Sequence, residues 1–105
     1  MPSALVSVLY PAEADAKFDL DYYNTKHIGL VNEKWSKYGL QQYWVADLRG
    51  SGGPYAIQTT MLWESLESFQ AAAAAEESAA VFADVPNFTN VKPVLVSGGV
   101  VKSSL

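Results

Sequence analysis

Residues 18–31 read FDLDYYNTKHIGLV and contain His27, the only histidine of the 105-residue chain. The spacing of the apolar residues predicts a helix, in which residues four apart lie on one face, so that Tyr23 lies directly under His27. A phenol beside the one side chain that titrates near neutral pH is typical of an acid–base site. We therefore predict a helix that carries two candidate catalytic residues, His27 and Tyr23.

Short apolar and aromatic segments around this helix predict four strands. They are residues 3–10 (SALVSVLY), 40–48 (LQQYWVADL), 55–63 (YAIQTTMLW) and 91–101. The glycine-rich segment RGSGGP joins the second to the third as a hairpin turn, because it is followed by a strand and not by a phosphate-binding helix. With a second helix after the third strand, the order is β-α-β-β-α-β. It predicts a ferredoxin-like α+β fold, a four-stranded antiparallel sheet with two helices on one face.

The first helix is predicted over residues 19–38, with Asp19 able to cap its start and Gly39 ending it. Gly29 in the middle costs about 1 kcal/mol relative to alanine, so we expect a bend there or two helical pieces. At 3.6 residues per turn, the predicted inward face consists of Tyr23, His27, Leu30, Val31, Lys34 and Tyr38.

The second helix is predicted to begin after a capping Ser65. A straight continuation would turn Glu77 toward the core, so we expect a break near Glu76 and a restart through residues 79–83. Pro93 favours the first residues or an edge position of the last strand.

Composition excludes several classes of function. Half of the residues are hydrophobic, and the net charge of −4 with scattered basic residues argues against nucleic acid and anionic membranes as partners. The absence of cysteine excludes disulfides, iron–sulfur clusters and thiolate zinc sites, and a lone histidine makes a metal site improbable. No signal peptide or membrane-spanning segment is visible, so we expect a single domain, residues 1–105, in the cytoplasm.

The predicted strands are apolar on both of their faces. In the first strand, the alternating sets Leu5/Ser7/Leu9 and Val6/Val8/Tyr10 are both largely apolar, whereas a sheet covered on one side alternates apolar and polar residues. Two helices cannot cover both faces. We therefore expect a homodimer through the sheet face, enclosing a space for a small apolar organic ligand.

Three motifs resemble the EthD family. They are V-L-Y-P at residues 8–11, F-x-x-x-Y-Y-x-x-x-H at residues 18–27 and D-V-P-x-F-T at residues 84–89. The resemblance implies a dimeric α+β barrel, in agreement with the element order. One position departs from the family pattern, which commonly has a proline two residues after the histidine where this chain has Gly29.

The resemblance implies a small-molecule protein, and with the lone histidine beside tyrosines we expect a cofactor-independent enzyme acting on a small apolar or aromatic organic substrate. His27 would be the acid–base group with Tyr23 as its partner, in an oxygenation or a proton-transfer reaction such as isomerisation, cyclisation or decarboxylation. Asp21 is one candidate for orienting the imidazole. Haem, which can be held by one histidine, is a remote alternative. The expected substrate-binding residues are aromatic: Tyr22, Tyr10, Trp35 and Trp63.

Other interpretations of the same residues remain open. His27 can be a hydrogen-bonded core histidine and the tyrosines core packing, because aromatic side chains at helical spacing are usually core. The chain can then be a non-catalytic small-molecule binding or accessory protein of a degradation or secondary-metabolism pathway. A third interpretation is an interaction module whose sheet face binds another chain. A cavity beside His27 would favour the enzyme and the small-molecule binding protein over the interaction module.

Overall fold

The computed structural model describes residues 3–104. Its strands form one antiparallel sheet in the order β2-β3-β1-β4. Their bounds are β1 Ala4–Pro11, β2 Leu40–Asp47, β3 Tyr55–Trp63 and β4 Val94–Gly99. This confirms the predicted ferredoxin-like α+β fold and places the first three strands within one residue of their predicted bounds.

The inner face of the sheet is built by alternation along the two central strands. In β1 the side chains of Val6 and Tyr10 are buried, and in β3 they pair with Met61 and Ile57. Because alternate residues of a strand point to the same face, these apolar positions form a continuous floor for the helices. The floor continues into Thr59, which is also buried.

The first helical segment is interrupted by a π-helical turn. Helix α1 spans Leu20–Tyr22, the π-helical turn Tyr23–His27, and helix α2 Ile28–Trp35, followed by one 3₁₀ turn. The Asp19 side chain accepts a hydrogen bond from the Tyr22 N–H, and Gly39 ends the segment at a φ of 120°.

The segment does divide into two α-helical pieces, one of the two outcomes expected, but the irregular turn precedes Gly29 and α2 runs through that glycine. A π-helical turn holds one residue more than an α-helical turn. Beyond the turn, Val31 stays on the inward face as predicted, while Ile28 and Trp35, which were not predicted there, are also buried.

The second helical segment breaks where the sequence predicted. Helix α3 spans Leu66–Ala74, a 3₁₀ turn follows, and helix α4 spans Ala79–Ala83. Ser65 caps α3 by accepting a hydrogen bond from the Ser68 N–H. Within residues 3–104, no helix is long and apolar enough to cross a membrane.

The last strand is shorter than the predicted 91–101. It begins at Val94, directly after Pro93, and ends at Gly99. Proline has no N–H to donate to the ladder, which is a physical reason for the late start.

The outer face of the sheet, which the helices do not cover, is mixed and not uniformly apolar. Leu5, Trp44, Val94 and Val96 are 40–52% exposed. Between them lies a polar centre, where Ser7 and Thr60 share a hydrogen bond of 3.1 Å and Gln58 Nε2 donates to Thr60 at 3.2 Å.

Candidate functional site

A cavity of about 110 Å³ lies between the inner face of the sheet and the helices. Most of its lining is apolar, and three exposed side chains, Tyr43, Phe82 and Leu95, mark its rim. The remaining lining residues are Val8, Tyr10, Tyr23, His27, Ile28, Val31, Trp35, Phe69, Thr59, Met61, Val81, Val85 and Pro93.

The π-helical turn brings Tyr23 and His27 to this cavity together. The Ile28 N–H donates to the Tyr23 carbonyl five residues back, which is the π-helical pattern. The two rings stack with centroids 5.2 Å apart and planes at 23°, and both side chains are buried. The stacking predicted from the four-residue spacing is therefore present, on a wider turn than an α-helix provides.

The imidazole of His27 is paired with Asp84. His27 Nδ1 lies 2.9 Å from Asp84 Oδ2, and the two side chains are 5% and 12% exposed. Asp84 Oδ1 accepts hydrogen bonds from the Tyr22 hydroxyl at 2.7 Å and from Asn87 Nδ2 at 2.9 Å. The carboxylate is thus fixed by three donors, which orient the imidazole toward the cavity.

Asp21, the orienting carboxylate suggested by the sequence, is exposed and does not take this role. Asp84 comes from a segment 57 residues further along the chain. The signal was present in the D-V-P-x-F-T motif, because its first residue, Asp84, and its aromatic Phe88 both reach the imidazole. The ring centroids of Phe88 and His27 are 4.6 Å apart.

Burial sets the charge state of this pair. It lowers the pKa of His27 below its ordinary 6.5, and the hydrogen bond and charge of Asp84 oppose the shift only in part. For Asp84, burial acts to raise the pKa, but hydrogen bonds from Asn87, Tyr22 and His27 lower it overall. The pair at neutral pH is therefore a neutral imidazole beside a carboxylate. Nδ1 carries the proton of the neutral imidazole and donates a hydrogen bond to the Asp84 carboxylate. Nε2 is therefore unprotonated and can accept a hydrogen bond.

Three hydroxyl groups lie near the imidazole on the cavity wall. Tyr23 and Thr59 share a buried hydrogen bond, and burial raises the pKa of Tyr23. Burial also raises the pKa of Tyr10, with a further contribution from Tyr23. Both phenols therefore stay neutral at physiological pH. Sequence reasoning missed Thr59, although its alternation with Ile57 and Met61 in β3 places it on the inner face.

The structure places the other predicted site residues in two groups. Tyr10 and Trp35 line the cavity, together with His27 and Tyr23. Tyr22 and Trp63 lie outside its lining. Tyr22 holds Asp84, while Trp63 is fully buried in the core and its indole N–H has no partner among the described residues.

A second, more open depression of about 410 Å³ lies where the start of α1 meets residues 86–90. Its polar groups already bond to one another. Asn90 Oδ1 accepts from the Lys17 N–H at 2.8 Å, and the Thr89 hydroxyl donates to the Lys17 carbonyl at 2.6 Å. This depression is therefore a structural junction.

In the part of the chain that the structure describes, no three histidine, cysteine, aspartate or glutamate side chains are grouped as metal ligands. The polar chemistry around the cavity thus consists of the imidazole–carboxylate pair and the hydroxyl groups.

Comparisons with known proteins connect this arrangement to a family. The EthD domain model matches residues 11–92. An EthD-like protein of Ralstonia eutropha JMP134 is 30% identical with a TM-score of 0.84, over 97% of this chain and 95% of that one. An ethyl tert-butyl ether degradation (EthD) family protein of Bacillus halodurans C-125 is 22% identical, with a TM-score of 0.70 over 96% and 100%.

More distant structures share the fold. SnoaB of Streptomyces nogalater, a cofactor-independent oxygenase, is 8% identical with a TM-score of 0.69 over 100% of this chain and 98% of that one. A dimeric ferredoxin-like protein of Thermobifida fusca YX is 16% identical with a TM-score of 0.61 over 94% and 92%. No curated protein matches the chain. The match to residues 11–92 and the 30% identity over nearly the full length show that this chain belongs to the EthD domain family.

Proposed function

We propose that this protein is a cofactor-independent enzyme that moves a proton on a small, largely apolar organic molecule, with His27 as the general base and Asp84 as its positioning residue. The observation that carries the proposal is the His27–Asp84 pair, 2.9 Å apart, in which His27 lies on the wall of an apolar cavity. A buried neutral imidazole whose Nδ1–H is held by a carboxylate has its Nε2 available to accept a proton.

The chemistry follows from the charge of the pair. When Nε2 takes a proton from an acidic O–H or C–H, the resulting imidazolium is stabilised by Asp84. Returning that proton to a different atom completes an isomerisation or a cyclisation. A decarboxylation would use the same proton transfer, and an oxygenation would require molecular oxygen as the second substrate. The fold likeness to SnoaB supports the last reaction at the level of fold alone.

A non-catalytic binding protein is the second candidate. It is favoured by the hydrogen bond between Tyr23 and Thr59, which leaves fewer polar groups free for chemistry. In this role, Tyr10 and Trp35 would supply contact area, and the imidazole would be one hydrogen-bond acceptor among apolar contacts.

The protein would act as a homodimer that pairs through the outer face of the sheet. Support comes from the exposed Leu5, Trp44, Val94 and Val96 on that face and from the fold likeness to dimeric ferredoxin-like proteins. Apolar side chains on an uncovered sheet are stabilised when a second copy removes them from water. The cytoplasmic location stays a prediction.

A proton-exchange assay separates the two candidates. Small cyclic ketones and phenols are incubated with the protein in D₂O, and exchange at their ring carbons is followed by NMR. An enzyme accelerates exchange in at least one compound, and His27→Gln removes the acceleration, because a positioned base contributes about 10²–10⁴-fold. Asn32→Ala, an exposed position on α2, is the control. Equal rates for wild type and His27→Gln across the panel would contradict catalysis by His27.

A further inference from the structure

The cavity leaves one strong acceptor for a ligand. His27 Nδ1 is bonded to Asp84, and the Tyr23 and Thr59 hydroxyls are bonded to each other. His27 Nε2 has no hydrogen-bond partner within residues 3–104, although the residue is only 4% exposed and lines the cavity. Nε2 is therefore the nitrogen that the pair leaves open to the cavity, and a ligand that donates a hydrogen bond to it gains binding energy there.

The volume limits the size of that ligand. The cavity holds about 110 Å³, and an apolar cavity of about 150 Å³ in another protein binds benzene. The side chains that close the cavity include Trp35, Met61 and Val31, which are 1–6% exposed and packed in the core. The cavity is smaller than that one, so a single six-membered ring already fills it, and a second fused ring would have to displace core side chains or remain outside the rim at Tyr43, Phe82 and Leu95.

The charge of the site limits the ligand further. Asp84 keeps its negative charge at neutral pH because its pKa is lowered by three hydrogen bonds, while burial keeps His27 neutral by lowering its pKa. Among the residues that the structure describes, no lysine or arginine lines the cavity. An anion placed in this apolar space would be unpaired and would lie close to a like charge, so the ligand must enter as a neutral molecule.

We propose that the cavity binds a neutral molecule the size of a single ring, with one weakly acidic hydroxyl, a phenol or a cyclic enol, that donates its hydrogen bond to His27 Nε2. This ligand class rests on the proposed function and adds limits of size and charge to it. On proton transfer the O–H bond breaks and an N–H bond forms at Nε2. The electron pair stays on the ligand oxygen, and the imidazolium is paired with Asp84.

Four small molecules test separately the three features required of the ligand: a hydrogen-bond donor, a neutral charge and the size of one ring. Phenol, anisole, benzoate and 2-naphthol are titrated into the full chain at pH 7, and the ¹⁵N signals of the one histidine are followed by NMR. Phenol is expected to saturate and to shift Nε2. Anisole, which has no donor, is expected to bind about tenfold more weakly, the worth of one buried hydrogen bond. Benzoate and 2-naphthol are expected not to bind at concentrations at which phenol saturates the protein. Benzoate or 2-naphthol binding as tightly as phenol overturns the proposal.

Matched variants test the size limit. Val31 lines the cavity, whereas Val6 is equally a core valine but does not line it. Val31→Ala is expected to admit 2-naphthol, and Val6→Ala is expected to bind phenol and still exclude 2-naphthol. If both variants are folded and neither admits 2-naphthol, volume is not what excludes it.

The free protein separates a failure of the ligand class from a failure of the proposed function. An imidazole protonated at Nδ1 in a protein that does not bind phenol would overturn the ligand class and leave His27 available as a base. An imidazole protonated at Nε2 would overturn both. Phenol binding that is unchanged in His27→Gln would show that the acceptor lies elsewhere.

Discussion

Replacement of Asp84 by asparagine keeps the shape of the side chain and removes its charge. Three donors now point at the carboxylate: the Tyr22 hydroxyl at 2.7 Å and Asn87 Nδ2 at 2.9 Å bond to Oδ1, and His27 Nδ1 at 2.9 Å bonds to Oδ2. An amide has one oxygen and one NH₂ group. Since two donors share Oδ1, we expect the amide oxygen there and the NH₂ group facing His27.

The expected loss of stability follows from the number of hydrogen bonds that change from a charged acceptor to a neutral partner. A hydrogen bond to a charged group contributes about 1.5–3 kcal/mol and one between neutral groups about 0.5–1.5 kcal/mol, a difference of about 1 kcal/mol for each bond. Asn87 is exposed, so its bond is discounted. The bonds from Tyr22 and His27 remain, and Asp84→Asn should lower the free energy of unfolding by about 2 kcal/mol.

The functional consequence is a change of tautomer. An NH₂ group at the Oδ2 position donates to His27 Nδ1, so the proton of the neutral imidazole moves to Nε2 and the base is lost. Urea denaturation at pH 7 measures the stability, and ¹⁵N NMR of the one histidine reports which nitrogen is protonated. Asp21→Asn, an exposed change on α1, is the control. An Asp84→Asn protein that keeps the proton on Nδ1, or an equal effect of Asp21→Asn, would refute the positioning role.

Three further predictions concern pH, packing and assembly. Burial holds the pKa of His27 in the folded protein below 6.5, so as the pH falls the unfolded chain binds a proton at His27 before the folded protein does. The free energy of unfolding should therefore fall as the pH drops from 6.5 to the folded pKa. Urea titrations at several pH values measure this decrease, which His27→Gln should lack. Ser78 accepts from Trp35 Nε1 at 2.6 Å and donates to a backbone carbonyl; Ser78→Ala should cost about 2–4 kcal/mol by thermal denaturation, because two buried groups lose their partner. Val96→Glu, on the outer sheet face, should halve the mass measured by light scattering, whereas Val101→Glu, fully exposed beyond β4, should not; a Val96→Glu protein that stays dimeric would exclude this interface.

The fold was largely predictable because its signals are local. Strand alternation, the Ser65 cap and the positive φ of Gly39 depend on neighbouring residues, and the structure agrees with them within a residue or so. The start of β4 was predicted too early because the apolar run does not show which of its backbone groups find a partner strand.

The site was predictable only in the residues that share one segment. Tyr23 and His27 are four apart, and their stacking follows from any helical turn. Asp84 reaches His27 across 57 residues. The D-V-P-x-F-T motif marks Asp84 among the acidic residues, but no spacing in the chain pairs it with the histidine. The role of Tyr22 was missed for the same reason. Its hydroxyl donates a hydrogen bond to Asp84, which lies 62 residues away in the chain, so the sequence alone does not indicate this role.

The π-helical turn explains how one helix serves both the core and the cavity. In a continuous α-helix, the face that contains Tyr23 and His27 would go on to Leu30 and Lys34, and a lysine stem would lie against the sheet. With the additional residue in the turn, Ile28 and Trp35 join Val31 on the inward face, and all three are buried and line the cavity. Tyr23 and His27 keep their place on the cavity wall because they lie within the turn itself. Single π-helical turns are frequent at functional sites, and here the turn reconciles an apolar wall with an imidazole that Asp84 can reach.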